Sequence, residues 1–269
     1  MNPEGYILNK IERKNEAEFL RKLLSQIAED LKHQGIELDE ECRIKLENFE
    51  GVYKSTEIEN DKQYVERLEK EWRKTNNLDD RLLTDGERLE ALKTIIFYKF
   101  LKDKFIIVRS SRYDDIKNKI DNIIIEKERG NIVCAFDEVS TLSGLELEKK
   151  KEIFLRNNIN GATIKYGFTY YNKKLILGKI NNVPIFYLAL TPSIIKEGIK
   201  RLMNIKKIKN LNDPLGYISE YDKKLWNYFL LNIQLQISRL NLEKNLNKSV
   251  KDRISKFEES LKQLNKSID

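Results

Sequence analysis

Apolar residues recur at helical spacing in the first part of the chain. A stripe at intervals of four, with charges between its members, predicts a helix over residues 14–33. The same kind of pattern predicts a second helix over residues 61–75. Residues 1–83 are therefore predicted to form a helical N-terminal region. The residues of the first stripe are Phe19, Leu23, Ile27 and Leu31.

A capping box marks the start of the next helix. Thr84 followed by Glu87 allows each side chain to satisfy a free backbone N–H of the other residue. We expect this helix to span residues 84–103. The apolar run at residues 105–108 then predicts a short strand.

Two segments rich in β-branched residues predict a β-hairpin. They cover residues 120–126 and 132–139, and the connecting loop contains Gly130, which can adopt the left-handed backbone that such a loop needs. Another capping box, Ser143 with Glu146, predicts the start of a helix that ends before Gly161.

The remaining apolar segments extend the same α/β pattern. Two or three strands are predicted at residues 162–171, 174–180 and 183–190. Thr191 and Pro192 then predict the start of a helix over residues 192–205, since proline is favoured in the first helical turn. Residues 84–205 therefore predict an α/β (α+β) core, a central mixed sheet flanked by helices.

The C-terminal region is predicted to be helical. Two amphipathic helices are expected within residues 217–269, with one stripe running from Trp226 to Leu240. These helices, in a region spanning residues 206–269, are expected to pack on the core or on a second copy of the chain. The second arrangement would give a homodimer through the terminal helices.

Composition points to a cytoplasmic protein. The chain has 269 residues, 40% hydrophobic and 35% charged, and no apolar run approaches the roughly 20 residues that span a bilayer. The N-terminus lacks the apolar stretch of a secretory signal. Cys42 and Cys134 are isolated and are expected to be reduced thiols. No membrane partner is expected.

Several enzyme classes are disfavoured by missing motifs. His33 is the only histidine, which excludes histidine-rich metal sites and argues against a Ser–His–Asp triad. The sequence contains no GxxxxGK[ST] or GxGxxG phosphate loop and no GxSxG elbow. Kinase, NTPase and α/β-hydrolase activities therefore lack support.

Charge is unevenly distributed along the chain. Residues 1–100 contain 18 Lys and Arg against 23 Asp and Glu, whereas residues 101–269 contain 32 against 20. A basic half of this kind favours a polyanionic partner, with nucleic acid the usual candidate. The alternative is compositional drift, because Lys, Ile and Asn are all abundant here.

The predicted hairpin brings two acidic residues together. If its turn centres on Arg129, Asp121 lies opposite Asp137, and directly opposed Cβ atoms are about 4.5–5.5 Å apart. Two carboxylates in apolar surroundings are costly unless protonated, paired with a cation or bridged by a divalent ion, for which Mg²⁺ or Mn²⁺ is suited. A bulge at Gly130 would shift this register by one residue and separate the pair. Alternatively, Asp121 is a strand-entry residue and Asp137 pairs with a nearby lysine.

Other carboxylates lie near this pair in the sequence. Glu138 adjoins Asp137 and is a further candidate metal ligand, although a regular strand would point it to the opposite face. Asp115, or its neighbour Asp114, could supply another ligand or cap a turn. Glu90 is a third candidate on the helix that begins at Thr84.

The element order and the two aspartates resemble the PD-(D/E)XK nuclease superfamily over about 120 residues. That family has an α-β-β-β-α-β core with one acid on a strand, a second acid on the next, and a lysine two residues later. Asp121 matches the first acid, and Asp137, in the sequence Val-Cys-Ala-Phe-Asp-Glu-Val, matches the second. Val139 occupies the lysine position. The resemblance implies a lysine supplied from elsewhere, with Lys150 and Lys165 as candidates.

These observations together predict a Mg²⁺-dependent (or Mn²⁺-dependent) phosphodiesterase acting on DNA, more so than on RNA. Arg109, Arg112 and Lys149 are the expected phosphate contacts. One alternative is a catalytically inactive module of nuclease fold that binds DNA or supports assembly, which the absent lysine at position 139 favours. Another is a helical interaction protein whose terminal helices mediate oligomers.

Overall fold

The N-terminal part of the molecule consists of two helices and the segment between them. Helix α1 spans Pro3–Lys32 and helix α2 spans Ser55–Thr75, which confirms both predicted helices and extends each toward its N-terminus. A short 3-10 helix, Leu46–Phe49, lies between them. The computed structural model describes residues 3–75, 82–139, 144–172, 174–209 and 213–265.

Helix α3 runs through the centre of the molecule. It spans Asp85–Leu101, and the predicted capping box between Thr84 and Glu87 is present. Almost every side chain from Arg88 to Lys99 is buried, so α3 contacts neighbours on all sides. A helix that is buried all round belongs to the interior of the fold rather than to one of its faces.

A four-stranded mixed sheet packs against α3. Strands β1, β2 and β3 pair antiparallel in sequence order, and β6 pairs parallel to β3 at the far edge. The strands are Phe105–Arg109 (β1), Asn122–Glu126 (β2), Ile132–Val139 (β3) and Ile185–Ala189 (β6). The sheet confirms the predicted hairpin and places it in the middle of the molecule.

The hairpin register agrees with the sequence-based prediction where the acids lie. Asn122 faces Phe136 and Ile123 faces Ala135, as expected for a turn centred on Arg129. The register shifts only closer to the turn, between Ile124 and Ile125. Gly130 has a φ of 68°, the left-handed conformation predicted for the loop.

The next elements match most of their predictions. Helix α4 spans Leu145–Asn160 and ends at Gly161. The N-cap of α4 is Gly144, which makes no side-chain hydrogen bond, so the predicted capping box with Ser143 as N-cap is wrong. Ser143 itself and the side chain of Glu146 lie outside the described residues. Strands β4 and β5, Ala162–Tyr171 and Lys174–Val183, pair with each other in a separate antiparallel ribbon.

Three helices complete the fold. Pro192 is the first residue of α5, as predicted. In the C-terminal region, Trp226 of α6 packs edge-on against Phe97 of α3 at 5.8 Å between ring centroids. Phe257 of α7 packs against Phe105 of β1 at 6.4 Å. The helices are Pro192–Lys209 (α5), Glu220–Asn241 (α6) and Lys248–Asn265 (α7).

One hydrophobic core joins these parts into an α+β fold. Its buried residues run from Ala17 in α1 to Leu261 in α7, so all three regions distinguished in the sequence contribute to it. Among the described residues, no helix combines the length and apolar character needed to cross a membrane.

Candidate active site

Asp121 and Asp137 lie side by side at one end of the β2–β3 hairpin. Asp121 directly precedes β2, and its backbone N–H donates to the carbonyl oxygen of Phe136 at 2.8 Å. Asp137 is the next residue of β3, and the two carboxyl groups are hydrogen-bonded to each other. Since an ionised carboxylate can only accept, one member of the bonded pair carries a proton.

The surroundings of the pair oppose its ionisation. Burial raises the pKa of Asp121 well above its usual value, and the charge of Asp137 raises it further. Burial also raises the pKa of Asp137, although Lys150 opposes that rise. Two carboxyl groups this close and this buried share a proton unless another cation neutralises them.

A lysine of α4, Lys150, contacts the pair. Its Nζ lies 2.5 Å from Oδ1 of Asp137, and its side chain is 21% exposed. The neighbouring Lys149 is exposed, and Lys151 pairs with Glu148 at 2.7 Å. The middle lysine of the basic run in α4 therefore turns toward the sheet, while the two that flank it remain at the surface.

Lys165 lies in a different place from the one expected. Its Nζ is 2.6 Å from Glu57 and 2.5 Å from Asp61, both on α2, rather than at the acidic pair. The ammonium also lies over the rings of three tyrosines at 5.1–5.4 Å from their centroids: Tyr53, Tyr113 and Tyr166. Lys165 thus attaches α2 to β4, which corrects its predicted role beside the aspartates.

Lys93 is a site residue that the sequence analysis missed. It is fully buried on α3, and its Nζ lies 5.0 Å from the ring centroid of Phe136. Burial lowers its pKa to about 7, against the opposing effect of Asp121. Its signal in the sequence is a lysine within an otherwise apolar helical stretch, Ala91-Leu92-Lys93-Thr94-Ile95.

Glu90 and Arg109 form a buried ion-pair cluster close to the acidic pair, and Glu90 lines the cavity that opens above that pair. Arg109 donates from Nε and Nη2 to the two carboxylate oxygens of Glu90 at 2.9 and 2.7 Å, and Arg43 donates to Glu90 at 2.8 Å. Burial raises the pKa of Glu90, but the two arginines prevail and hold it at about 2. Arg109 is 2% exposed, which corrects the expectation that it meets phosphates at the mouth.

Asp115 and Arg112 lie at the rim of the site. Asp115 pairs with Arg112 at 3.1 Å and with Arg43 at 3.2 Å. Arg112 also contacts Glu69 of α2 at 3.0 Å and is 28% exposed. Asp115 is therefore neutralised by arginines, while Arg112 remains partly accessible.

The other two acidic candidates have separate positions. Asp114 is buried and accepts hydrogen bonds from Ser111 Oγ at 2.7 Å and from the backbone N–H of Lys165 at 2.7 Å. It therefore stabilises the turn between β1 and β2 and its contact with β4. Glu138 pairs with Leu188 through its strand backbone, and its side chain lies outside the described residues.

A cavity of about 450 Å³ opens directly above the acidic pair. Helix α2 forms one wall, the N-terminal turn of α3 another, and the turn between β1 and β2 a third. Its lining residues include Leu68, Glu69, Trp72, Arg73, Arg112, Asp115, Ile116, Lys119, Asp121, Asp137 and Lys150.

Two carboxylates that face open space fit one divalent cation of the Mg²⁺ type. Within residues 3–75, 82–139, 144–172, 174–209 and 213–265, no group of three or more His, Cys, Asp and Glu side chains could hold a metal ion. Mg²⁺ commonly binds through one or two carboxylates and completes its coordination with water and substrate phosphate. Asp121 and Asp137 supply the two carboxylates, and the cavity leaves room for the water molecules and the substrate phosphate.

Comparison of the chain with protein-family models, with curated protein sequences and with solved structures gives no significant match.

Proposed function

We propose that the protein is a Mg²⁺-dependent or Mn²⁺-dependent phosphodiesterase that cleaves DNA. The observation that carries the proposal is the contact between Asp121, Asp137 and Lys150 at the floor of the cavity. A buried and a half-buried carboxyl with raised pKa values and an adjacent lysine are the groups expected at a metal-assisted hydrolytic site.

The order of elements supports the same proposal. Helix α3, strands β1 to β3, helix α4 and strand β6 follow one another as in the α-β-β-β-α-β core of the PD-(D/E)XK nucleases. The β4–β5 ribbon is inserted between α4 and β6. We infer a restriction-endonuclease-like core in which Asp121 and Asp137 occupy the two acidic positions.

Lys150 is proposed to replace the signature lysine, whose position in the sequence is occupied by Val139. It comes from the helix that follows β3 and reaches Asp137 across the sheet edge. From there its ammonium can orient an attacking water and stabilise negative charge that develops on the phosphate oxygens. Arg112 at the rim and Lys149 on the exposed face of α4 are proposed to contact neighbouring phosphates.

Asp121 and Asp137 would hold the divalent ion in place of their shared proton. When bound, such an ion polarises the phosphodiester and lowers the pKa of a coordinated water. The apolar residues around the pair, including Ile120 and Phe136, limit the entry of bulk water from behind. Charge on the two carboxylates is therefore weakly screened, which favours binding of a cation over leaving the pair ionised.

A nuclease assay with Mg²⁺ or Mn²⁺ tests this proposal. Asp137→Asn should lower the rate by more than roughly a hundredfold, because it removes half of the charge that holds the ion. Lys150→Ala should cost about 10²–10³-fold, in the range found when one charge-stabilising donor is lost. Asp103→Asn, at an exposed aspartate, is the matched control and should cleave like the unaltered protein.

Cleavage that survives Asp137→Asn would exclude the proposed site. A second candidate function is a DNA-binding module of the same fold without catalysis. It is favoured by the fact that the metal-ligating side chains among the described residues gather in no group larger than a pair at the site. DNA binding with no cleavage in either metal, and no Mg²⁺ binding by calorimetry, would establish this alternative.

A further inference from the structure

An exposed tryptophan forms part of the cavity wall. Trp72 lies on α2, and its side chain is 47% exposed although it lines the same cavity as Asp121 and Asp137. Leu68, one turn earlier on α2, and Ile116 line the cavity as well. The wall therefore has an apolar, aromatic part next to the polar floor.

The position of Trp72 is unusual within its helix. Helix α2 is strongly charged, and it buries the side chains of Ile58 and Val65. The chain has two tryptophans, and the other, Trp226, is 2% exposed and stacks on Phe100 at 5.2 Å. The core thus takes up one indole, while the other remains accessible at the cavity.

The cavity has the size to accept part of a nucleic acid strand, and cations lie beside Trp72, although the lining contains six acidic side chains against four basic ones. Its volume of about 450 Å³ is typical of pockets that enclose a small ligand, so it can take a single nucleotide but not a duplex. Arg73, Arg112 and Lys119 line it together with Trp72. A planar π-surface beside several cations is the combination that binds single strands, through base stacking and phosphate contacts.

We propose that Trp72 stacks on an unpaired nucleobase next to the phosphate that reaches Asp121 and Asp137, so that the preferred substrate is single-stranded DNA. Stacking on an indole requires a free base face, and bases within a duplex have both faces covered by their neighbours. The proposal that single-stranded DNA is cleaved rests on the proposed nuclease function. The stacking itself is a binding interaction that can be measured without cleavage.

Tryptophan fluorescence during titration with a single-stranded oligonucleotide tests the proposal. The titration uses full-length protein carrying Asp137→Asn, which prevents cleavage. Because Trp226 is buried, a decrease in emission on binding reports on Trp72. Adding Trp72→Phe should remove that decrease and keep the affinity within about threefold, since a phenyl ring still stacks.

Trp72→Ala in the same background should weaken single-strand binding by roughly 5- to 150-fold, the range for losing one stacked base. Binding of a blunt duplex of the same sequence should change less than about twofold, because only its two terminal base pairs offer a free face to the indole. Tyr171→Ala, at an aromatic residue 59% exposed on the β4–β5 ribbon, is the matched control and should leave both affinities unchanged.

An unchanged single-strand affinity in Trp72→Ala, or an equal loss on single strand and duplex, would overturn the proposal. Metal-dependent cleavage together with either result would leave the nuclease function standing. Conversely, single-strand binding that depends on Trp72, in a protein that cleaves DNA with neither Mg²⁺ nor Mn²⁺, would support the stacking site and exclude the nuclease function. Thermal melting of each variant shows whether the loss comes from unfolding, and an unstable Trp72→Ala is replaced in the comparison by Trp72→Leu.

Discussion

The close approach of Asp121 and Asp137 lowers the stability of the fold, although the same two carboxyls are the proposed ligands of a cation. Burial raises the pKa of Asp121 and of Asp137 above the usual 3.8. A raised folded-state pKa means that the contribution of these carboxyls to stability is fully present only below 3.8. It is lost as the pH rises through the raised values. At neutral pH the pair therefore costs stability that Lys150 offsets only in part, unless a divalent cation binds as well.

Asp121→Asn should consequently stabilise the protein when divalent ions are removed with EDTA. The amide carries no charge, so the melting temperature should rise by about 2–4 °C for each kcal/mol of relieved repulsion. Mg²⁺ should raise the melting temperature of the unaltered protein by binding the folded state, but not that of Asp121→Asn. Differential scanning calorimetry measures both effects, with Asp103→Asn expected to match the unaltered protein. A lower melting temperature for Asp121→Asn in EDTA would contradict the argument.

Residue-level prediction succeeded where local geometry determines the outcome. Asp121 and Asp137 could be paired from sequence because a hairpin has a two-residue side-chain period and a register set by its turn. Arg109 was misplaced because its burial depends on Arg43, which pairs with it in a parallel bridge from 66 positions earlier. Lys93 was missed because a buried lysine conflicts with the apolar pattern used to find the helix.

At the scale of elements, the Glu90 cluster holds three segments together. Glu90 belongs to α3, Arg109 ends β1, and Arg43 lies in the segment before the 3-10 helix. No helix or strand is predicted for that segment from the sequence, because its conformation follows from these non-local contacts rather than from a periodic pattern. By contrast, α3, α4 and α5 were predicted well, since caps, a terminal glycine and a first-turn proline encode their ends.

Glu90→Gln should destabilise the protein by about 3–5 kcal/mol at neutral pH, because it removes the buried carboxylate shared by Arg43 and Arg109 and leaves them only their longer contacts with Asp115 and Glu41. The pKa of Glu90 is lowered to about 2 from 4.5, so its contribution is present above 4.5 and is lost as the pH falls toward 2. The difference between variant and unaltered protein should therefore shrink over that interval. Urea unfolding across this pH range tests it. Glu152→Gln, at an exposed glutamate of α4, should change stability by less than about 0.5 kcal/mol.

At the scale of the whole molecule, the excess of basic residues after position 100 favours a polyanion. Residues 101–269 contain 32 Lys and Arg against 20 Asp and Glu. They supply β1 to β6 and α4 to α7, which include the sheet and the helix that carries Lys150. Among these basic residues, Lys149 is exposed on α4, next to Lys150 of the candidate site. The proposed substrate is therefore expected to approach across α4.

Salt dependence can distinguish a phosphate contact at Lys149 from general attraction by a basic protein. Each phosphate contact on a single strand contributes about −0.7 to the slope of log affinity against log salt concentration, because bound counterions are released. Lys149→Gln should make the slope for single-stranded DNA less steep by about that amount.

Lys174→Gln is the control for this measurement. Lys174 is exposed and begins β5, on a ribbon whose Tyr170 donates a backbone hydrogen bond to Gly130 at the hairpin turn. The turn lies at the opposite end of β3 from Asp137, so Lys174 is remote from the cavity. Both variants lower the net charge equally, and long-range attraction alone would therefore shift both slopes alike. A smaller slope for Lys149→Gln alone would place a phosphate at α4, whereas equal slopes would remove Lys149 from the interface.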